Sequence, residues 1–123
     1  MSPSPKSVVD TWVKAFNAAD VDALAALYHP DAVNHQTAYA PLEGRDNIRR
    51  LFETEFARAT MVCNVENLFE DGDWAILEWT DPNGLRGCGF FHVVDGLIRL
   101  QRGYFDRLTF YKAQNIPLDD IIA

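Results

Sequence analysis

Val8, Val9, Trp12 and Phe16, with Val13 beside them, recur three to four residues apart, the spacing that lays one apolar stripe along a helix. The string "SVVDTWVKAFNAA" is therefore expected to form the first helix. Ser7 with Asp10 three residues on resembles a capping box, so the helix is expected to begin there and "MSPSP" to be disordered. Asp20 is placed to cap a second helix, "VDALAALY", whose Leu24, Leu27 and Tyr28 share a face and which Pro30 would end. "AVNHQT" reads as a short extended piece and "AYAPLEG" as a loop. A third helix follows in "RDNIRRLFETEFARA", with Ile48, Leu51, Phe52 and Phe56 on one side. Glu53 and Glu55 on that helix read as part of a solvated face.

From residue 61 the period changes to two. "MVCNVENLFE" and "DWAILEWT" are joined by "DGD", "DPNG" leads into "LRGCGFFHVV", and a second "DG" turns that into "LIRLQRGYFD". Four successive antiparallel strands are expected, then one or two helical turns in "RLTFYKAQ" before Pro117. Helices followed by a meander argue for the α+β class, with the helices covering one face of a curved sheet. No linker or repeat interrupts the pattern, so residues 7–123 read as one domain behind a disordered segment 1–6.

Composition narrows the function classes. The chain has 123 residues, 18 acidic against 11 basic, and a formal net charge of −7. With no basic run it lacks the footprint that phosphate backbones require, so nucleic acid is not an expected partner. There is no apolar run of membrane-spanning or secretory length, which makes a membrane partner unexpected and a cytoplasmic location the expectation. Cys63 and Cys88 lack metal-type spacing and read as small buried hydrophobes. His29, His35 and His92 are too scattered to form a helical ligand pair, and nucleotide-loop, zinc-helix and nucleophile-elbow motifs are absent. No metal and no organic cofactor is expected.

One acid stands apart. Glu78 lies in "WAILEWT" between Leu77 and Trp79, and alternation puts Trp74, Ile76, Glu78 and Thr80 on one face, Ala75, Leu77 and Trp79 on the other. Both faces are apolar. Glu78 reads either as a rim carboxylate paired with Arg99 or Arg102, or as a desolvated carboxylate with a raised pKa, suited to proton transfer.

Three strings, "VVDTWVKAFNAADVDALAALYHPDAV", "LEGRDNIRRLF" and "DGLIRLQRGYFD", resemble over nearly the whole chain the superfamily of nuclear transport factor two, and particularly its SnoaL-like branch. The resemblance implies a cone: a strongly bent antiparallel sheet wrapped round a pocket and closed by the N-terminal helices, a cystatin-like α+β roll. The family includes polyketide cyclases, ketosteroid isomerases, limonene-epoxide hydrolases, scytalone dehydratases and non-enzymatic binding domains, and the fold does not choose among them.

Carried over by position, the resemblance places no complete catalytic set here. The isomerases' oxyanion-binding tyrosine falls at Trp12, their general base at Gln36 and their protonated aspartate at or beside Gly89. The epoxide hydrolases' water-positioning tyrosine and asparagine fall at Asn34 and Gln36, and their Asp-Arg-Asp machinery at Glu78, Thr80 and Gly103. The cyclases' histidine and aspartate fall near Gly89 and Gly103. What the resemblance and the alternation leave is a pocket lining: Trp12, Phe16, Asn34, Gln36 and Trp74, with Glu78, Thr80, Gly89, Gln101 and Gly103. Plain core packing is the competing account of Phe16 and Trp74.

Two functions follow as expectations. One is a cofactor-independent enzyme, an isomerase, cyclase, lyase or hydrolase acting on a small hydrophobic or polyketide-like molecule. Glu78 would be its acid or base, and Asn34, Gln36 and Gln101 would orient a water or hold a carbonyl. The other is a non-catalytic ligand-binding or dimerisation module. In either case a homodimer is expected through the outer sheet face, with Arg102, Tyr104 and Leu77 or Trp79. Asp106 is expected to cap the last helix, and His35 to face outward unless its strand is bulged, which would make it a rival proton carrier.

Overall fold

Proline at the first helical position sets where the chain becomes regular. In the computed structural model, which describes residues 2–117, helix α1 runs Pro5–Asn17 and its cap is Ser4, whose hydroxyl accepts from the Ser7 amide at 3.2 Å. Pro5 supplies a preset φ where its missing N–H is not needed. The expected disorder of segment 1–6 and the start at Ser7 are thereby corrected: residues 4–6 form the cap and first turn, and the Lys6 amide donates to Glu70 Oε1 at 2.9 Å.

Asp20 caps the short helix α2 (Val21–Ala25), accepting from the Ala23 amide at 3.0 Å. The chain then leaves the helix earlier than its periodicity suggests and enters strand β1 (Tyr28–Gln36), so Tyr28 opens a strand rather than closing a helix. Pro30 falls where the register between Tyr28 and Val33 shifts, a stretch in which its missing N–H breaks no ladder. The two-residue strand β2 (Leu42–Glu43) lies in the expected loop. Helix α3 (Arg45–Arg58) follows, then β3 (Asn64–Asp71), β4 (Trp74–Thr80), β5 (Arg86–Val94), β6 (Leu97–Phe105) and helix α4 (Arg107–Ala113).

The six strands form one curved, unclosed sheet in the order β2-β1-β6-β5-β4-β3, with β1 parallel to β6 and every other pair antiparallel. The α+β class and the meander of four strands stand as expected. Asp95 and Gly96 both have positive φ, 53° and 78°, as the tight turn between β5 and β6 demands. Helix α1 presents Val8, Val9, Trp12, Val13 and Ala15 to the sheet, and α3 presents Ile48 and Phe52. The core joins these to Leu24, Tyr28, Leu77, Phe91 and Ile98. No helix among the described residues is long and apolar enough to cross a membrane.

The facing of β4 is opposite to the expected one. Ala75 and Leu77 are buried against the helices with Trp79 beside them, whereas Trp74, Glu78 and Thr80 lie on the outer face. The cause is the neighbouring strand. Leu77 pairs with Gly89 and Trp79 with Gly87, and Gly87 leaves room for the Trp79 ring. A Cβ on Gly87 would stand 2.5 Å from the Trp79 ring and 2.6 Å from the Tyr104 carbonyl oxygen. A one-residue change of facing moves every side chain of a strand to the other side. Here Gly87 on β5 favours the inward Trp79.

Candidate functional site

Between the helices and the inner face of the sheet lies a cavity of about 550 Å³. Its walls are aromatic and aliphatic: Trp12 and Phe16 of α1, Phe52 of α3, Leu77 and Trp79 of β4 and Phe91 of β5. Trp12 stacks on Phe16 with centroids 5.0 Å apart and meets Phe91 edge-on at 5.4 Å, so the rings hold one another as well as the cavity's shape. Residues of α4 and beyond, Phe110, Tyr111 and Ile116, also line it. Asp106 caps α4 by accepting from the Leu108 amide at 3.0 Å, the role its sequence context suggests.

The cavity's two ends differ chemically. At the exposed end are Tyr39, Glu55 and Arg58, the last two joined by an ion pair at 2.6 Å. Arg107 lies 5.3 Å from the ring centroids of both Tyr39 and Tyr111. Burial and the neighbouring Tyr111 hydroxyl push the Tyr39 phenol up to about 12. At the inner end are two amides, Asn34 and Gln101, 2% and 5% exposed.

Those amides are held by two short relays. Trp12 Nε1 donates to the Tyr28 hydroxyl at 2.9 Å, and the Tyr28 hydroxyl donates to Gln101 Oε1. An indole nitrogen can only donate, so the first bond takes a lone pair of the hydroxyl and leaves its single proton for Gln101. Tyr28 is fully buried, and burial raises its pKa far above that of an ordinary phenol, which keeps the proton in place. In the second relay Gln36 Nε2 donates to Asn34 Oδ1 at 2.9 Å.

Gly103 makes the second relay possible. In the parallel register Gln36 lies directly beside Gly103, and a Cβ there would fall 1.9 Å from Gln36 Oε1 and 2.5 Å from its Cδ. The missing side chain is the space in which the Gln36 amide rests.

Of the ten residues expected to line a pocket, Trp12, Phe16, Asn34, Gln36, Gly89, Gln101 and Gly103 do so. Trp74, Glu78 and Thr80 do not, because of the facing of β4. Glu78 Oε1 accepts from Asn67 Nδ2 at 2.6 Å, Thr80 donates to Glu66 Oε1 at 2.8 Å, and Trp74 stacks on His92 at 4.8 Å with Arg102 across its ring at 5.0 Å. Glu78 therefore cannot reach a molecule in the cavity, and neither expected partner, Arg99 or Arg102, bonds it. His35, too, is absent from the lining.

Glu55 and Tyr28 are among the contributors that had gone unrecognised. Glu55 lines the cavity instead of a solvated face; it stands three residues after Phe52 and four after Leu51, the spacing that marks α3's inner stripe. Tyr28 controls Gln101 from a position that reads as the end of a helix. Among the described residues no three His, Cys, Asp or Glu side chains come together in a way that could hold a metal ion.

The SnoaL-like domain matches over residues 9–101. The chain belongs to the SnoaL-like family. Solved structures with the same fold include an LEH-like epoxide hydrolase of M. tuberculosis, 24% identical over 94% of this chain and 92% of that one, with a TM-score of 0.76. A protein of Catenulispora acidiphila with a ketosteroid isomerase-like fold, solved in complex with trimethylamine, reaches a TM-score of 0.83 at 17% identity, covering 97% and 98% of the two chains. A protein of Xanthomonas campestris assigned as a polyketide cyclase has a TM-score of 0.78 at 20% identity over 86% and 93%. At these identities the likeness concerns the fold. Comparison with curated proteins gave no match.

The fit of Gln36 over Gly103 in this SnoaL-like domain can be measured as a coupling. Gly103→Ala is expected to destabilise the protein by about 1 kcal/mol in the native background and by nearly nothing in Gln36→Ala, where the space is open. Urea unfolding of the four proteins gives the cycle; equal costs in both backgrounds would show that Gly103 does not serve Gln36.

Proposed function

We propose that this SnoaL-like protein holds one small, predominantly apolar molecule in its interior cavity. The observation that carries the reading is the cavity's make-up: about 550 Å³ of space walled by aromatic rings, with two buried amides at its inner end. Small-molecule sites of roughly 300–1,000 Å³ combine apolar walls with a few polar groups in this way. Burying amides without need is costly, so their presence in an otherwise apolar chamber favours a ligand that uses them.

A second reading, acid-base chemistry on the bound molecule, has one observation in its favour. Glu55 lines the cavity beside Arg58, and among the described residues it is the one carboxylate that does. An isomerase, cyclase, lyase or hydrolase step would run through Glu55 at the exposed end, with the neutral amides of Asn34 and Gln36 orienting the molecule.

We also infer a homodimer through the outer sheet face. Phe69 and Tyr104 are exposed there, 56% and 43%, near the half-buried Trp74 and Phe90 that flank the Arg102 guanidinium. Arg102 Nε is buried with no hydrogen-bond partner among the described residues. Leu77 and Trp79, once candidates for this surface, face inward instead. Sedimentation equilibrium should return twice the 13.9 kDa chain mass, and Phe69→Glu with Tyr104→Glu should return the chain mass. A native protein already at the single-chain mass would refute the dimer.

Binding is tested with 2-ethylnaphthalene, following the emission of Trp12 and Trp79. A saturable change with a micromolar Kd is expected, about −8 kcal/mol at 1 μM. Gly89→Leu, which projects a side chain into the cavity, should weaken binding at least tenfold, whereas Glu78→Gln should leave it within twofold. The absence of saturable binding of this probe and of its ketone and carboxylate analogues would refute the reading.

A further inference from the structure

The two relays impose a polarity on the inner end of the cavity. Gln101 Oε1 is committed to the Tyr28 hydroxyl, and Asn34 Oδ1 to Gln36 Nε2. Each amide therefore offers its nitrogen. Neither Asn34 Nδ2 nor Gln101 Nε2 has a hydrogen-bond partner among the described residues, and neither is sealed off from open space, as Arg102 Nε and Arg107 Nε are. Both residues line the cavity, so that open space is the cavity. In the parallel register Asn34 lies directly beside Gln101, on strands about 4.8 Å apart, so two NH₂ groups front the same region.

From this arrangement, and resting on the cavity-binding reading above, we propose that the site is specific for an uncharged molecule that seats a carbonyl-class oxygen, a ketone, ester or lactone, on the Asn34 and Gln101 amide nitrogens. A carbonyl oxygen has two lone pairs and no proton, which matches two donors. A hydroxyl or amine in the same place would have to turn its hydrogen toward Gln36 Oε1 or the second lone pair of an amide oxygen that already accepts, a demand a carbonyl does not make. A carboxylate seated on these two nitrogens would have no counter-charge at the inner end. The cations near the cavity are Arg58, paired with Glu55 at the exposed end, and Arg107, against Tyr39 and Tyr111.

The relays also make Trp12 and Tyr28 positioning residues. Tyr28 does not reach the bound oxygen; its single proton, steered by the indole of Trp12, keeps the Gln101 oxygen turned away from the ligand. Gln36, resting over Gly103, donates to the Asn34 oxygen.

The test uses the native protein and three probes of one shape: 2-acetylnaphthalene, 2-ethylnaphthalene and 2-naphthoate. A net hydrogen bond is worth about 0.5–1.5 kcal/mol, and two of them predict that the ketone binds at least fivefold tighter than the hydrocarbon. The carboxylate should bind at least tenfold more weakly than the ketone at pH 8. With ¹³C at the ketone carbonyl, the bound resonance should lie at or downfield of its position in methanol. In Gln101→Met the ketone should lose at least threefold in affinity while the hydrocarbon keeps its own. A hydrocarbon that binds as well as the ketone, or a bound carbonyl resonance upfield of its methanol position, overturns the proposal and leaves the cavity-binding reading standing. No saturable binding of any of the three overturns both. The ¹³C measurement needs only the native protein, so it decides the matter even where Gln101→Met does not fold.

Discussion

The Tyr28 hydroxyl has one proton and two neighbours, and much of the structure follows from how they share it. Trp12 belongs to the first helix, Tyr28 to the first strand and Gln101 to the last, so this one buried group joins three segments that are distant along the chain. Each partner would be costly to bury alone. An indole N–H without an acceptor, or an amide oxygen without a donor, loses about 1–3 kcal/mol when water is excluded. Placed in series they satisfy one another, and the amide nitrogen left over faces the cavity. Packing of the helix on the sheet and polarity of the site are thus two consequences of the same chain of hydrogen bonds.

Two glycines complement this chain by giving up volume where a neighbour needs it. Gly87 admits the ring of Trp79 and Gly103 admits the amide of Gln36. Each absent side chain on β5 or β6 corresponds to a large one on the adjoining strand. Gly103 thus does more than enlarge the cavity; it orients one of the cavity's polar groups. Gly87 also favours the facing of β4 that excludes Glu78 from the interior.

Much of this was legible in the sequence where one signal acted alone. The stripe of Val8, Val9, Trp12 and Phe16, the cap at Asp20 and the four strands from residue 64 to 105 each rest on a single clear period or residue preference, while the inward set Asn34, Gln36, Gly89, Gln101 and Gly103 came from the family resemblance together with alternation. Legibility failed where two signals competed. Ser4 and Ser7 both suit a helix start, and Pro5 decided between them. Tyr28 continues the helical spacing of Leu24, yet the chain turns into a strand because its ring and hydroxyl fill the core between Trp12 and Gln101. On β4 both faces are apolar, so only cross-strand pairing, which a single strand's pattern does not contain, could reveal that Leu77 and Trp79 point inward. Glu55 carried a usable signal in its spacing from Leu51 and Phe52, but its charge suggested a solvated face.

The claim on which everything else depends is that Tyr28 directs its proton to Gln101 while accepting from Trp12. Proton NMR of the native protein addresses it directly. The account predicts a slowly exchanging phenolic hydroxyl resonance with nuclear Overhauser contacts to the Trp12 indole N–H and to the Gln101 side chain, lost in Tyr28→Phe. A Trp12 indole proton that exchanges at the rate of an exposed indole, with no contact to a Tyr28 hydroxyl, would contradict it.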